Sequence, residues 1–256
     1  MTMQDMLKDP LANIVLMHAD DKLMLGHIQS DWTGLAPILE EDIAASSMSQ
    51  DDLSHALVLY EYLAKRFDLD TDAIAFEREP ADYRCCDLIT IPDEFDWAAA
   101  VVKRWLVATF TAMGLERLAT IEDGDLSARC NRLIPEQAIH LCHLAAWVQR
   151  LGCGTDESNA RMQAAIDLLA APSGMLFEPP DASLADTESF CCGRDEMFHE
   201  WAAVTEATLA KANLRGVFTL PARSELGGRR GAHAAHFIEQ QAEMTEVRRA
   251  EPAPAW

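Results

Sequence analysis

The chain is short of basic residues. Lys and Arg total 21 against 42 Asp and Glu, a formal charge of −21, so no face can neutralise a run of phosphates and nucleic acid is excluded as a partner. It also lacks any window near ~18 consecutive apolar residues. The first ten residues carry Asp5 and Asp9 where a secretory leader needs basic residues and an apolar stretch. No membrane association is therefore expected, and the expected location is the cytoplasm. The seven cysteines, Cys85, Cys86, Cys130, Cys142, Cys153, Cys191 and Cys192, are odd in number and show no C-x-x-C spacing. That argues for reduced thiols over a disulfide or zinc framework. Tandem repeats and low-complexity tracts are missing as well.

What is present favours helix. The chain has 256 residues, 49% of them hydrophobic, rich in Ala, Leu and Met, enough for one large core. A first helix is expected from Leu11 to Trp32. A second should open at Pro37, where a missing N–H costs nothing, and run to Phe67. Its apolar stripe reads Leu53, Ala56, Leu57, Tyr60, Leu63, Ala64 and Phe67. Leu88 to Ile91 reads as a possible extended stretch. A third helix from Asp96 to about Leu115 is apolar on nearly every side and belongs at the centre. A fourth is expected from about Pro135 to Leu151. Gly152 and Gly154 stop it, and Thr155 caps a fifth with Asp156 and Glu157 in its first turn. Later helices are expected over Asp195–Asn213 and Ala232–Arg249. Residues 171–194 read as a long surface connection inside a single domain spanning 1–256, a boundary there being the alternative.

Two spacings carry chemistry. Asp52 and His55, and position 137 with His140, sit as the two acidic-residue-x-x-His pairs of a carboxylate-bridged di-iron bundle, where residues i and i+3 share a helix face. The second pair is broken: Gln137 replaces the carboxylate, although Glu136 precedes it, and a neutral amide cannot supply the charge a buried iron requires. The pattern reads as a di-iron fold that has lost its iron.

Four ordered blocks resemble one family. They are the run from Trp147 to Ser158 (Trp-Val-Gln-Arg-Leu-Gly-Cys-Gly-Thr-Asp-Glu-Ser) continuing through Arg161 to Asp167; Asp31 to Pro37 with Leu39 to Ala44; Ala75 to Glu79; and the tail from Gly227-Gly228-Arg229-Arg230-Gly231 through His233 and His236 to Glu243, Met244 and Trp256. Together they resemble the C subunits of bacterial phenylacetyl-CoA 1,2-epoxidases, with residues 171–226 matching least. The resemblance implies an all-α, ferritin-like four-helix bundle with peripheral helices. It implies a non-catalytic subunit that carries no cofactor and supports a homologous di-iron A subunit, alongside the other subunits of a multicomponent ring-epoxidising oxygenase in aerobic phenylacetate degradation.

Comparison with metal-bearing A-type relatives implies vestigial di-iron positions at Lys22, Asp52, His55, Ala108, Glu136, Gln137 and His140. Three carboxylate positions then hold Lys, Ala and Gln. Lys22 either takes the place of the lost cation between the remaining acids or reaches solvent. His140 reads as an inward histidine with a hydrogen-bond partner or as a ligand. Arg229, Arg230, His233 and His236 are candidate contacts for a partner or a CoA phosphate, since a glycine-rich loop before a helix can cradle phosphate; a plain surface loop is the competing reading. Two other functions stay open: a metal-binding oxygenase in its own right, and a stand-alone helical binding protein.

Overall fold

Side-chain caps set most of the helix starts. In the computed structural model, which describes residues 2–180, 193–220 and 227–251, Thr2 and Asp5 form a capping box on the short α1 (Met3–Met6). Asp9 accepts from Ala12 N at 2.9 Å to open α2 (Pro10–Gln29), with Pro10 in its first turn. α3 (Leu39–Phe67) ends where Asp68 adopts a left-handed φ of 52°, and Asp70 caps α4 (Thr71–Phe76). Asp96 accepts from Ala98 N and Ala99 N at the head of α5 (Trp97–Leu118). Asp123 does the same for Asp125 N and Leu126 N in α6 (Gly124–Gly152), and Thr155 with Ser158 boxes α7 (Asp156–Leu169). Then follow α8 (Arg194–Lys211), α9 (Ala235–Met244) and α10 (Glu246–Ala250).

The architecture is an all-α bundle of the ferritin-like kind, with no strand among the described residues. α2 packs along α3 and α5 along α6, and contacts of α3 with α6 and α2 with α5 close the four. α5 lies at the centre, as its sequence requires: from Ala98 to Thr111 every residue is buried. It is long and apolar enough to cross a membrane, but it is a core helix with 89% of its most apolar window buried. α7 and α8 pack against α5 and α6.

Several expected boundaries move. α6 begins at Gly124, not at Pro135, which lies inside it. Pro135 and Asn131, whose carbonyl loses its usual donor, are both exposed, so water can serve that carbonyl and the helix continues. Leu88 to Thr90 belong to a buried 3₁₀ turn, not an extended stretch. The expected surface connection dives inward, because residues 172–177 form a 3₁₀ segment that buries Leu176 and Phe177 completely. Phe177 meets Phe110, Phe198 and Trp201 edge-on at centroid separations of 5.2, 5.3 and 5.4 Å. Residues 181–192, with Cys191 and Cys192, lie outside the described residues, as does Trp256. The last expected helix is divided at Thr245. On α3, Leu53 and Leu57 are exposed, and Asp52, His55 and Leu59 hold the inward register in their place.

Candidate functional site

The middle of α2 brings charge into the core. Asp20, Asp21 and Lys22 are all buried, three consecutive residues around a helix that neighbours enclose on every side. Lys22 reaches the bundle centre, where its Nζ donates to Asp52 Oδ1 at 2.6 Å and to Gln137 Oε1 at 2.5 Å. From α5, Arg104 Nη2 donates to the other carboxylate oxygen, Asp52 Oδ2, at 2.6 Å. Gln137 Nε2 donates to the Ala108 carbonyl at 3.0 Å. All four helices thus meet at a closed network in which one carboxylate faces two cations.

The histidines sit beside this network. His55 Nε2 pairs with Glu136 Oε2 at 2.7 Å and His140 Nε2 with Asp51 Oδ2 at 2.9 Å, and their rings stack at 6.2 Å. Within the first i, i+3 pair the Asp52 carboxylate and the His55 imidazole therefore turn to different partners, as do the Gln137 amide and the His140 imidazole of the second. Asp52 and His55 do not converge on one point, and His140 Nδ1 approaches Asp52 only to 4.0 Å. Burial, then Lys22, push the His55 pKa down, and its bond to Glu136 only partly restores it. Burial likewise lowers His140 against the pull of Asp52 and Asp51. Burial works to raise the Asp52 carboxyl, but Lys22 and Arg104 outweigh it and hold it below its ordinary value. Both imidazoles are thus kept neutral beside an ionised acid that other cations already neutralise.

The other two acids of α2 are clamped from far along the chain. Asp20 accepts from Arg78, from Tyr60 Oη at 2.6 Å and from Arg84 N at 2.6 Å. Asp21 takes a bidentate pair from Arg229, at 3.1 and 2.8 Å, and Cys86 N at 2.8 Å. Arg229 is therefore not available to a partner or a phosphate: it is fully buried. His233 is spent as well. Its Nδ1 meets Asp87 Oδ1 at 2.6 Å, and Ala234 N, at the head of α9, donates to Asp87 Oδ2 at 2.7 Å. The amide that would greet a phosphate already holds a carboxylate. Arg230 pairs with the buried Glu178 at 3.0 Å, and His236 lines a separate pocket with Asp31, Asp93 and Glu239. Of the candidate partner or phosphate contacts, Arg229, Arg230 and His233 are thus engaged in structural clamps.

Sequence reading missed Arg104, Asp20, Asp21 and Arg78 as buried charges. A signal existed for Arg104: a guanidinium inside an apolar helix is almost never buried without a partner.

The model of one family, described as phenylacetic acid catabolic protein, matches residues 1–256. The chain belongs to this family. It is also 28% identical over 248 residues to the C subunit of the 1,2-phenylacetyl-CoA epoxidase of Escherichia coli (strain K12), a match covering 96% of this chain and 99% of the relative.

In this family member the centre does not fit a di-iron cluster. The space between the helices is crossed by the Lys22 ammonium, Ala108 offers no donor atom, and Gln137 is turned by its amide toward both Lys22 and a backbone carbonyl. Among the described residues no group of three or more His, Cys, Asp and Glu side chains is arranged to hold a metal ion. A cation entering here would meet two fixed positive charges, and the Asp52 carboxylate between them is already taken by both.

Proposed function

We propose that this protein is the metal-free supporting subunit of a multicomponent phenylacetyl-CoA 1,2-epoxidase, working in the cytoplasm beside a homologous A-type subunit that carries the di-iron centre. One observation carries the reading: the Lys22 ammonium lies 2.6 Å from Asp52 and 2.5 Å from Gln137, where a catalytic member of such a bundle needs carboxylates around iron. The near full-length match to a relative named as an epoxidase C subunit supports the partnership. An internal cation makes the bundle independent of metal. The fold is then free to act as a rigid body against which a catalytic subunit is held, and the exposed Leu35, Leu39 and Ile43 offer apolar surface for such contact.

The test is co-expression with an A-type subunit, followed by sizing, iron quantification on each separated subunit, and turnover of phenylacetyl-CoA with O2 and a reductase. The expected outcome is iron in the A-type subunit alone, turnover that requires both chains, and retained turnover in an assembled His140→Ala complex. Stoichiometric iron in this chain, or a dead but intact His140→Ala complex, would overturn the assignment.

A further inference from the structure

Beside the bundle centre, where α3, α5 and α6 approach the end of α2, a narrow slot is lined by Gln29, Glu41, Met48, Trp97, Arg104 and Trp147 among others. Its free volume, about 10 Å³, admits one oxygen-sized group. It adjoins a wider chamber of about 230 Å³, and the two share Glu41, His143 and Trp147 as walls. Arg150 also lines the chamber, its guanidinium 4.9 Å from the Trp147 ring centroid.

Two residues of the slot's wall carry a buried donor that is unmatched. Gln29 is only 3% exposed, and neither its Nε2 nor Trp97 Nε1 has an acceptor among the described residues. Buried N–H groups left without acceptors forfeit the full solvation they had in water. The charges nearby, by contrast, are already matched: Arg104 by Asp52 at 2.6 Å, and Glu41 by His143 Nε2 at 2.9 Å. A second anion would face the Glu41 carboxylate, and a cation would face Arg104. The slot therefore suits a neutral oxygen. A hydroxyl suits it better than a carbonyl, because it accepts from Trp97, can donate to Glu41, and serves either orientation of the Gln29 amide.

We propose that slot and chamber together form a binding site for a small alcohol or phenol, its oxygen held by Gln29 and Trp97 and its apolar body lodged against Trp147. A volume of ~150 Å³ is enough for benzene, so the chamber, walled by Ala146 and Trp147 beside Glu41, His143 and Arg150, has the room for one ring. The site meets the Lys22 network through Arg104, whose guanidinium is already paired with Asp52, and it does not depend on the subunit assignment.

The test uses the full chain, uniformly ¹⁵N-labelled, titrated with benzyl alcohol, with toluene and benzoate as comparison probes. The indole N–H resonance that disappears in Trp97→Phe is expected to shift downfield and saturate with benzyl alcohol. Binding of toluene and of benzoate should each be at least about tenfold weaker. Gln29→Leu should weaken the alcohol by roughly 2- to 10-fold, the worth of one neutral hydrogen bond. The proposal fails if the indole resonance does not saturate, if toluene matches the alcohol, or if Gln29→Leu binds unchanged. It also fails if a crystal soaked in benzyl alcohol holds only a single water in the slot. Should Gln29→Leu not fold, the comparison of benzyl alcohol with toluene on the unaltered chain decides the matter.

Discussion

Removing Asp52 leaves the Lys22 ammonium and the Arg104 guanidinium buried with no counter-charge, whereas removing Lys22 leaves Asp52 still neutralised by Arg104. Asp52→Ala is therefore expected to cost about 3–5 kcal/mol, and Lys22→Met roughly 1–3 kcal/mol, mainly for the unmet Gln137 oxygen. Denaturant midpoints measure the order, and equal losses would contradict the geometry. Ala108→Asp combined with Gln137→Glu should still take up no stoichiometric iron under anaerobic loading, because Lys22 remains; iron analysis of the double variant decides this. Histidine titration gives a second residue-scale test. His18 is stacked on Phe110 at 5.5 Å, and burial, then Arg229 and Lys22, lower its pKa from 6.5 to about 3; His55 and His140 are lowered too. The unfolded chain thus binds protons that the folded chain refuses, so stability is fully present above pH 6.5 and is lost as pH falls, for His18 across the window from 6.5 down to about 3. The slope should be ~1.4 kcal/mol per pH unit for each histidine inside its window, and urea titrations of His18→Gln should show a shallower dependence. At this scale the sequence yields the inventory but not the pairings. Lys22 is marked as a candidate cation only by comparison with metal-bearing relatives, and only the rotation of α2 decides between Asp52 and solvent. Arg229 is misread because an Arg among glycines resembles a surface loop, and nothing local announces Asp21 as its partner.

At the scale of the element, caps are the most legible feature. Asp96 and Thr155 announce α5 and α7 because the same oxygen that ends the loop satisfies the first amides of the helix. α6 is less legible, since Pro135 suggests a start in a place where solvent tolerates an interior proline. The inward face of α3 is hidden for a different reason. Its buried positions include Asp52 and His55, and a search for apolar periodicity shifts the stripe by one residue toward Leu53 and Leu57. Leu88 to Ile91 is short and apolar, a pattern that strand and buried turn share. Within α5, Gly114 offers a test in which packing opposes propensity. Helix propensity alone favours Gly114→Ala by about 1 kcal/mol. A Cβ there would lie 2.1 Å from His18 Cε1, and that ring is held by Phe110, so overpacking of roughly 1–3 kcal/mol should win. A melting temperature below that of the parent chain is expected, and a rise would show that the His18 ring can yield.

Across the whole molecule, the C-terminal region is bound to the first long helix. Arg229→Ala strands Asp21 in the core and is expected to cost about 3–5 kcal/mol. Arg230→Ala, next along the chain but only partly buried, should cost markedly less. Thermal melts of the two variants measure this contrast, and a larger loss in Arg230→Ala would refute the clamp. The overall bundle is legible from periodicity and composition. The clamp is not, because its partners stand 208 positions apart and the chain between them carries no local trace of it. The same separation has a temporal meaning. A ribosome adding ~5–20 residues per second delivers Arg229 roughly 10–40 s after Asp21, and during that interval the nascent helix holds a carboxylate that no other part of the emerged chain can neutralise in the same way. The core around α2 is therefore expected to close only near the end of translation. A transcript cut short before codon 229 would yield a product that exposes this acid to the cell's degradation machinery, however complete its other helices.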